Sequence, residues 1–307
     1  MNLKSIWSAL EDSSEFLFDN YAWSPADKAA EELSLPAGYY AWVMAIWMFD
    51  ADPFTIAQYM RYFPYGLAQV NDARLASAVQ EGYLASDDRG TYRATESGRA
   101  AAARLMQAGD ETMSALTPMP KESLRTLGNF LARISGTALN LPEPPAHVLI
   151  KAKRDLYQRT NTFAILEGFV AHCLLLEGYR DDCYIATWSA HGMEGHTWEV
   201  LDQLSQSDAL TFDELHDKLS RRGVTREAHA ADVQELARRG WADDASGKIQ
   251  ITAMGKQVRA EVEAETERLF FAPWSCLNES ELDELARLAG QLRDGLKNPV
   301  EKQGDLS

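Results

Sequence analysis

Between Thr211 and Leu269 the apolar positions change period in a fixed order. Phe212, Leu215 and Leu219 recur at a three-then-four spacing behind Thr211, a residue suited to an N-cap, and predict a helix from Phe212 to Leu219. Arg222-Gly223 makes a turn. From about Arg226 to Arg239 a second amphipathic pattern places Ala230, Val233, Leu236 and Ala237 on one face, and Gly240 stands where a left-handed C-cap belongs. Two short helices joined by a glycine turn are helix-turn-helix spacing. Trp241-Ala242-Asp243 and Lys248-Ile249-Gln250-Ile251-Thr252 then flank a polar tip, Asp244-Ala245-Ser246-Gly247, which predicts a two-stranded wing. Thr252-Ala253-Met254-Gly255-Lys256 opens a long helix.

The same order occurs once before. Glu81-Gly82-Tyr83-Leu84 answers Arg239-Gly240-Trp241-Ala242 at an offset of 158, and Ala94-Thr95-Glu96-Ser97-Gly98-Arg99 answers Ile251 to Lys256 with Gly98 and Gly255 157 apart. Trp42 and Trp198 each precede their helix-turn-helix, and Leu124 and Leu127 answer Leu282 and Leu285. Internal repetition implies two copies of one module, so residues 40–134 and 196–293 are expected to superpose about an approximate two-fold axis. The first helix-turn-helix spans about Thr55 to Gln80, with Pro53 near its start, Pro64-Tyr65-Gly66 in its turn and Ala68 to Gln80 as recognition helix.

Elsewhere, Leu3, Ile6, Trp7 and Leu10 form a stripe on an N-terminal helix, and Thr95 to Met113 and Ser123 to Ile134 read as helices. Ser135 to Pro145, with Gly136, Pro142, Pro144 and Pro145, reads as a linker, and Ala146 to Leu176 as one helix buried on most sides. The expected domains are 1–135, a linker at 136–145, and 146–307.

The combination resembles the winged helix-turn-helix of the MarR family, whose wing leads into a Leu-Thr-x-x-Gly-Arg/Lys helix start, as Ile251 to Lys256 does here. The resemblance implies a mainly α fold with short β-wings, two tandem winged modules forming a pseudo-dimer, and outer helices packed together within one chain. It also implies a transcription regulator whose DNA affinity responds to a small molecule. The segment from Arg180 to Met193, together with Phe271-Ala272-Pro273-Trp274, is loosely similar to a group of SalK-like actinobacterial proteins, which implies the same architecture and no particular activity.

Charge complicates the DNA reading. Thirty basic residues against 46 acidic ones give a net charge of −16, whereas phosphate binding calls for a basic face. The local field decides. The first copy offers Arg74 on its recognition helix and Arg89 and Arg93 on its wing; the second offers Arg226, His229, Arg238, Arg239 and Lys248, and is expected to dominate. Glu227, Asp232 and Glu235 share that helix, so a solvated mixed-charge face stands beside the DNA reading.

Of thirty Phe, Trp and Tyr, fifteen lie before residue 66. Rings with polar tips fill cores, and they also line sites for flat organic ligands. Trp42, Trp47, Tyr59 and Tyr62, with Trp188 and His191 from the other half, are the candidate lining of such a pocket. Enzyme chemistry finds little: there is no phosphate loop, dinucleotide fingerprint or nucleophile elbow, and His172, Cys183, His191 and His196 follow no zinc spacing. No enzyme activity, cofactor or metal is expected. Three cysteines without a C-x-x-C pair fit a reducing compartment, and the absence of a signal-like start or a long apolar run makes the expected location cytoplasmic, away from membranes. The expected partners are double-stranded DNA, bound weakly, and a planar aromatic small molecule, in a monomer or homodimer. The alternative is a small-molecule-binding protein that kept the winged-helix scaffold and lost DNA binding.

Overall fold

The computed structural model describes residues 2–207, 209–244 and 247–297. Ala245 and Ser246, at the expected tip of the second wing, and the last ten residues of the expected 146–307 domain lie outside the described residues.

The chain opens with α1 (Leu3–Leu17), one π-helical turn (Phe18–Ala22) and α2 (Trp23–Glu32), which follow one another without an intervening loop. Then come α3 (Tyr40–Phe49), β1 (Phe54–Thr55), the single-turn α4 (Ile56–Tyr59), α5 (Ala68–Gln80), β2 (Leu84–Ser86), β3 (Thr91–Ala94), α6 (Glu96–Ser114) and α7 (Lys121–Ala138). After a loop, α8 (Leu149–Arg159) and α9 (Phe169–Ser189) lead to α10 (Gly195–Ser205), α11 (Phe212–Leu219), α12 (Arg226–Arg238), β4 (Ala242–Asp243), β5 (Gln250–Ile251), α13 (Ala253–Phe271) and α14 (Glu279–Lys297). The fold is mainly helical with short strands, and α11 begins and ends where its apolar spacing places it.

Matching positions of the two halves hold matching devices. Thr55 and Thr211 each form a capping box, with Gln58 and Glu214, at the first helix of the helix-turn-helix. Gly82 and Gly240 are left-handed, at φ +83° and +74°. Beyond them Thr95 and Thr252 each donate through Oγ1 to that glycine's carbonyl, at 2.7 and 2.6 Å. Each also accepts from the N–H of Gly98 or Gly255 at 3.1 Å. A Cβ on Gly98 would stand 2.1 Å from the Tyr83 carbonyl oxygen, and one on Gly255 2.3 Å from that of Trp241. The Thr-x-x-Gly signal therefore has a mechanical cause: the first turn of the helix is pressed onto backbone. The first wing is a three-stranded sheet ordered β1-β3-β2, with Phe54 opposite Tyr92 and Leu84 opposite Ala94. In the second, β4 pairs with β5 and a lone Leu210–Ile249 bridge stands where β1 would.

Apolar burial falls into three cores. One fills the first winged unit around Trp42, Phe54 and Leu75, and a second fills the other around Trp198, Leu215 and Leu236. The third is shared, drawing Leu10 and Leu17 from α1, Leu127 and Leu131 from α7, Phe169 and Leu176 from α9, and Leu285 and Leu292 from α14. Within it α1 packs on α14 and α7 on α9, so each half lends an outer helix to the other.

Two expectations are corrected. The helix predicted over Ala146 to Leu176 is broken: Leu166 and Glu167 take positive φ (+48° and +55°) and Gly168 φ +90°, reversing the chain between α8 and α9. The apolar periodicity continues across the break because both sides face the shared core, so period alone hides it. The predicted linker starts inside α7, which runs to Ala138. Its remainder is tied down: Tyr179 Oη donates to the Glu143 carbonyl at 3.0 Å, and the Asp182 carboxylate receives the N–H groups of Val148, Leu149 and Ile150 at 2.9–3.1 Å. The stretch Thr162–Ser189, counted across that break, is long and apolar by length and composition, and 72% of its apolar window is buried inside the protein, as in a core helix.

Candidate functional site

Two surfaces carry the candidate residues, and the first is the recognition face. In the second unit the helix-turn-helix is well formed, with Thr225 capping α12 and Gly223 left-handed in the turn. Its cations are engaged locally. Arg226 pairs with Asp213 and lies 4.7 Å over the Phe212 ring. Arg238 grips Glu235 with two bonds, at 2.7 and 2.8 Å, and the pair draws Glu235 down to about 2, through hydrogen bonds from Arg238 and then Arg239. Arg239 also donates to the carbonyls of His191 and Gly192, both at 2.9 Å. His229 cannot reach a groove, being 0% exposed with its Nδ1 2.8 Å from that of His216. Burial lowers its pKa. Lys248 is exposed.

In the first unit Arg89 and Arg93 are exposed on the wing, where Asp87 receives the N–H groups of Arg89 and Thr91 and fixes the turn. Arg74 points toward the other unit. A Cβ on Gly223 would meet Arg74 Nη2 at 2.8 Å and Val70 at 2.9 Å, so α5 lies against the turn that precedes α12. The contact continues through Pro64, whose carbonyl oxygen is 2.2 Å from a Cβ built on Gly195, and through Tyr65. Trp188 Nε1 donates to Tyr65 Oη at 3.3 Å, and Arg222 lies 5.4 Å over the Tyr65 ring.

The second surface is a cavity of about 470 Å³ between the shared helical core and the first winged unit. It lies among α1, the π-helical turn, α2, α3, α6, α8 and α9, and its wall includes Trp7, Glu11, Phe18, Trp23, Tyr40, Met44, Trp47, Leu105, Met106, Asp110 and Glu177. Of the six rings and side chains expected in a pocket, Trp47 is there, its Nε1 donating to the Ala102 carbonyl at 3.1 Å. Trp42 does not line it: it is 1% exposed and stacked on Tyr83 at 4.4 Å. Tyr59 is 3% exposed in the first unit's core, and Tyr62 sits edge-on to Phe49 at 5.2 Å. Trp188 and His191 stack on Trp198 in the second unit, and His191 faces a separate hollow of about 390 Å³ beside Glu143 and Pro144. Early aromatic density thus marked the core of the first winged unit more than a cavity.

Sequence reading missed Trp7, Glu11, Asp110 and Glu177, which come from helices far apart in the chain. One signal was present. Glu11, Glu15 and Asp19 sit on successive turns, a like-charge spacing that weakens a helix and so asks for a reason. Burial raises Asp110 to about 6, raises Glu11 and Glu177, and lifts Tyr40 to about 12. His172 lies apart from both surfaces, whereas His196 buttresses α12 from α10. His172 bonds Ser135 at 3.0 Å and His196 bonds Asp232 at 2.8 Å. Among the described residues no cluster of three or more His, Cys, Asp or Glu is set to hold a metal.

Helices α11 and α12, joined at Gly223, form a helix-turn-helix. In agreement, residues 146–298, just under half of the chain, match a helix-turn-helix family. The second half therefore carries a helix-turn-helix domain, whose usual kind of function is DNA-binding regulation. No curated protein and no solved structure matches the chain.

Proposed function

We propose that the protein is a MarR-like, ligand-responsive DNA-binding regulator in which one chain supplies both halves of a dimer, and that the arrangement described here is its DNA-free state. The observation that carries the reading is the exchange of outer helices, α1 onto α14 and α9 onto α7, beneath two winged units with the same order of elements. A cavity opens against the same shared helices, so a molecule bound there can bias how the winged units sit. Paired recognition helices enter successive major grooves about 34 Å apart. With α5 against Gly223, three residues before α12, that spacing is not met, and the Tyr65–Trp188 contact has to open first.

Fluorescence anisotropy with DNA from upstream of the protein's own gene, at about 50 mM salt, tests this. Wild type should bind weakly, with a shallow salt slope of roughly −0.9 per neutralised phosphate. Tyr65→Ala should bind more tightly, because it loosens the contact between units, and Arg226→Ala should lose more affinity than Arg74→Ala. A second reading, a small-molecule-binding protein without DNA binding, draws on the internal pairing of Arg226, Arg238 and Arg239. Folded wild type and Tyr65→Ala that both ignore DNA, with and without ligand, would leave that second reading standing.

A further inference from the structure

The wall of the cavity against the first winged unit combines thioethers, aromatic rings and carboxylates. Its apolar side is rich in thioethers, Met44, Met48, Met106 and Met113, which repack readily around an irregular guest. Four rings line another side. Phe18 and Trp23 are 5.9 Å apart and tilted, Trp23 and Tyr40 5.9 Å and edge-on, Tyr40 and Trp47 6.5 Å and edge-on. Trp23 and Tyr40 remain 39% and 44% exposed, rare for large apolar side chains in this protein. All four rings form part of the cavity wall, and π faces there attract cations.

Carboxylates complete the wall, six of them against Lys153 and Arg180. Both cations are already engaged, Lys153 3.9 Å from Glu177 and Arg180 3.0 Å from Glu263, which lies outside the cavity. Asp110, on α6, is part-buried, and among the described residues no hydrogen bond or ion pair engages it. The π-helical turn from Phe18 to Ala22 brings Phe18, Asp19 and Ala22 to the same wall, and such turns recur at functional sites.

We propose that this cavity binds a monovalent organic cation bearing aromatic or bulky apolar groups, its charge set beside Asp110 and the ring faces and its apolar body against the methionines. The proposal rests on the ligand-responsive part of the function proposed above and is independent of DNA binding. An organic anion would meet a surplus of carboxylates, and a neutral guest would bury Asp110 without a counter-charge, which is costly. The volume lies within the usual range for a drug-sized ligand.

Tetraphenylphosphonium and tetraphenylborate, nearly identical in shape and opposite in charge, are the probes. Titrated into the full chain at pH 7.5 without DNA, and followed by tryptophan fluorescence and calorimetry, the phosphonium should bind at least tenfold more tightly than the borate. Asp110→Asn, with its fold checked by circular dichroism, should weaken the phosphonium about tenfold and leave the borate unchanged or tighter. Equal binding of both probes, tighter borate, or a folded Asp110→Asn with unchanged phosphonium affinity would overturn the proposal. The comparison of probes on wild type decides even where the variant fails to fold. Because no arm contains DNA, failure of the regulator reading leaves these outcomes intact.

Discussion

Gly98 and Gly255 have no side chain because a carbonyl oxygen occupies the space where a Cβ would go, 2.1 and 2.3 Å away. Backbone cannot swing aside as a flexible side chain can. Gly98→Ala and Gly255→Ala should each destabilise by about 1–3 kcal/mol or more, read as a lower urea midpoint. Gly290, in mid-helix of α14 with nothing within 4 Å, is the control, and its change to Ala should stabilise by about 0.5–1 kcal/mol. His172 makes a different residue-scale prediction. Burial holds its pKa down at about 4, so the unfolded chain takes up its proton first as pH falls. The sign follows: its contribution is intact above pH 6.5 and is lost progressively toward pH 4. His172→Asn should flatten the fall in urea midpoint between pH 7 and 4.5, by on the order of 1–2 kcal/mol. An identical acid limb in the variant would refute it.

At the scale of elements, α8 is started from outside its own sequence. No side chain caps it locally; the carboxylate of Asp182, on α9, takes three N–H groups at its first turn. Asp182→Ala would leave those donors buried without acceptors and should cost on the order of 3 kcal/mol, with amide exchange speeding up first in α8. Uniform exchange across the chain would contradict that assignment. Local signals made α11, α12 and α13 legible, since Thr211, Thr225 and Thr252 cap them from the adjacent position. The break at Leu166 to Gly168 was not legible, because its cause is tertiary. A Cβ on Gly128 of α7 would meet the Glu167 carbonyl at 2.2 Å, so the reversed backbone is seated against another helix.

For the whole molecule, the shared core makes the halves dependent. Each winged unit owns a small core, yet the large one takes helices from both ends of the chain. Cut in the loop between Ala138 and Leu149, the two pieces should co-purify as a tight complex when expressed together and be aggregation-prone when expressed singly. Two pieces that fold alone and ignore each other would show that the exchange of α1 and α9 is incidental. Under the regulator function proposed above, such coupling would let a guest against α1 and α9 act on packing that both units share.

The sequence by itself determined the helices of the second helix-turn-helix and their caps, because period, capping residues and glycine turns act within a few positions. It also held the carboxylates of Glu11, Glu15 and Asp19 in plain view. What only the tertiary structure decided was which of these groups meet. Trp42 and Trp47 are five residues apart on α3, yet Trp42 goes into a closed core and Trp47 into a cavity, because the helix turns them toward different neighbours. The fold brings Asp213 of α11 to Arg226 of α12, whereas the pairing of Arg238 with Glu235 lies within one helix and was open to the sequence. Long-range packing sets the field around each charge and the space around each ring, and no local period encodes either.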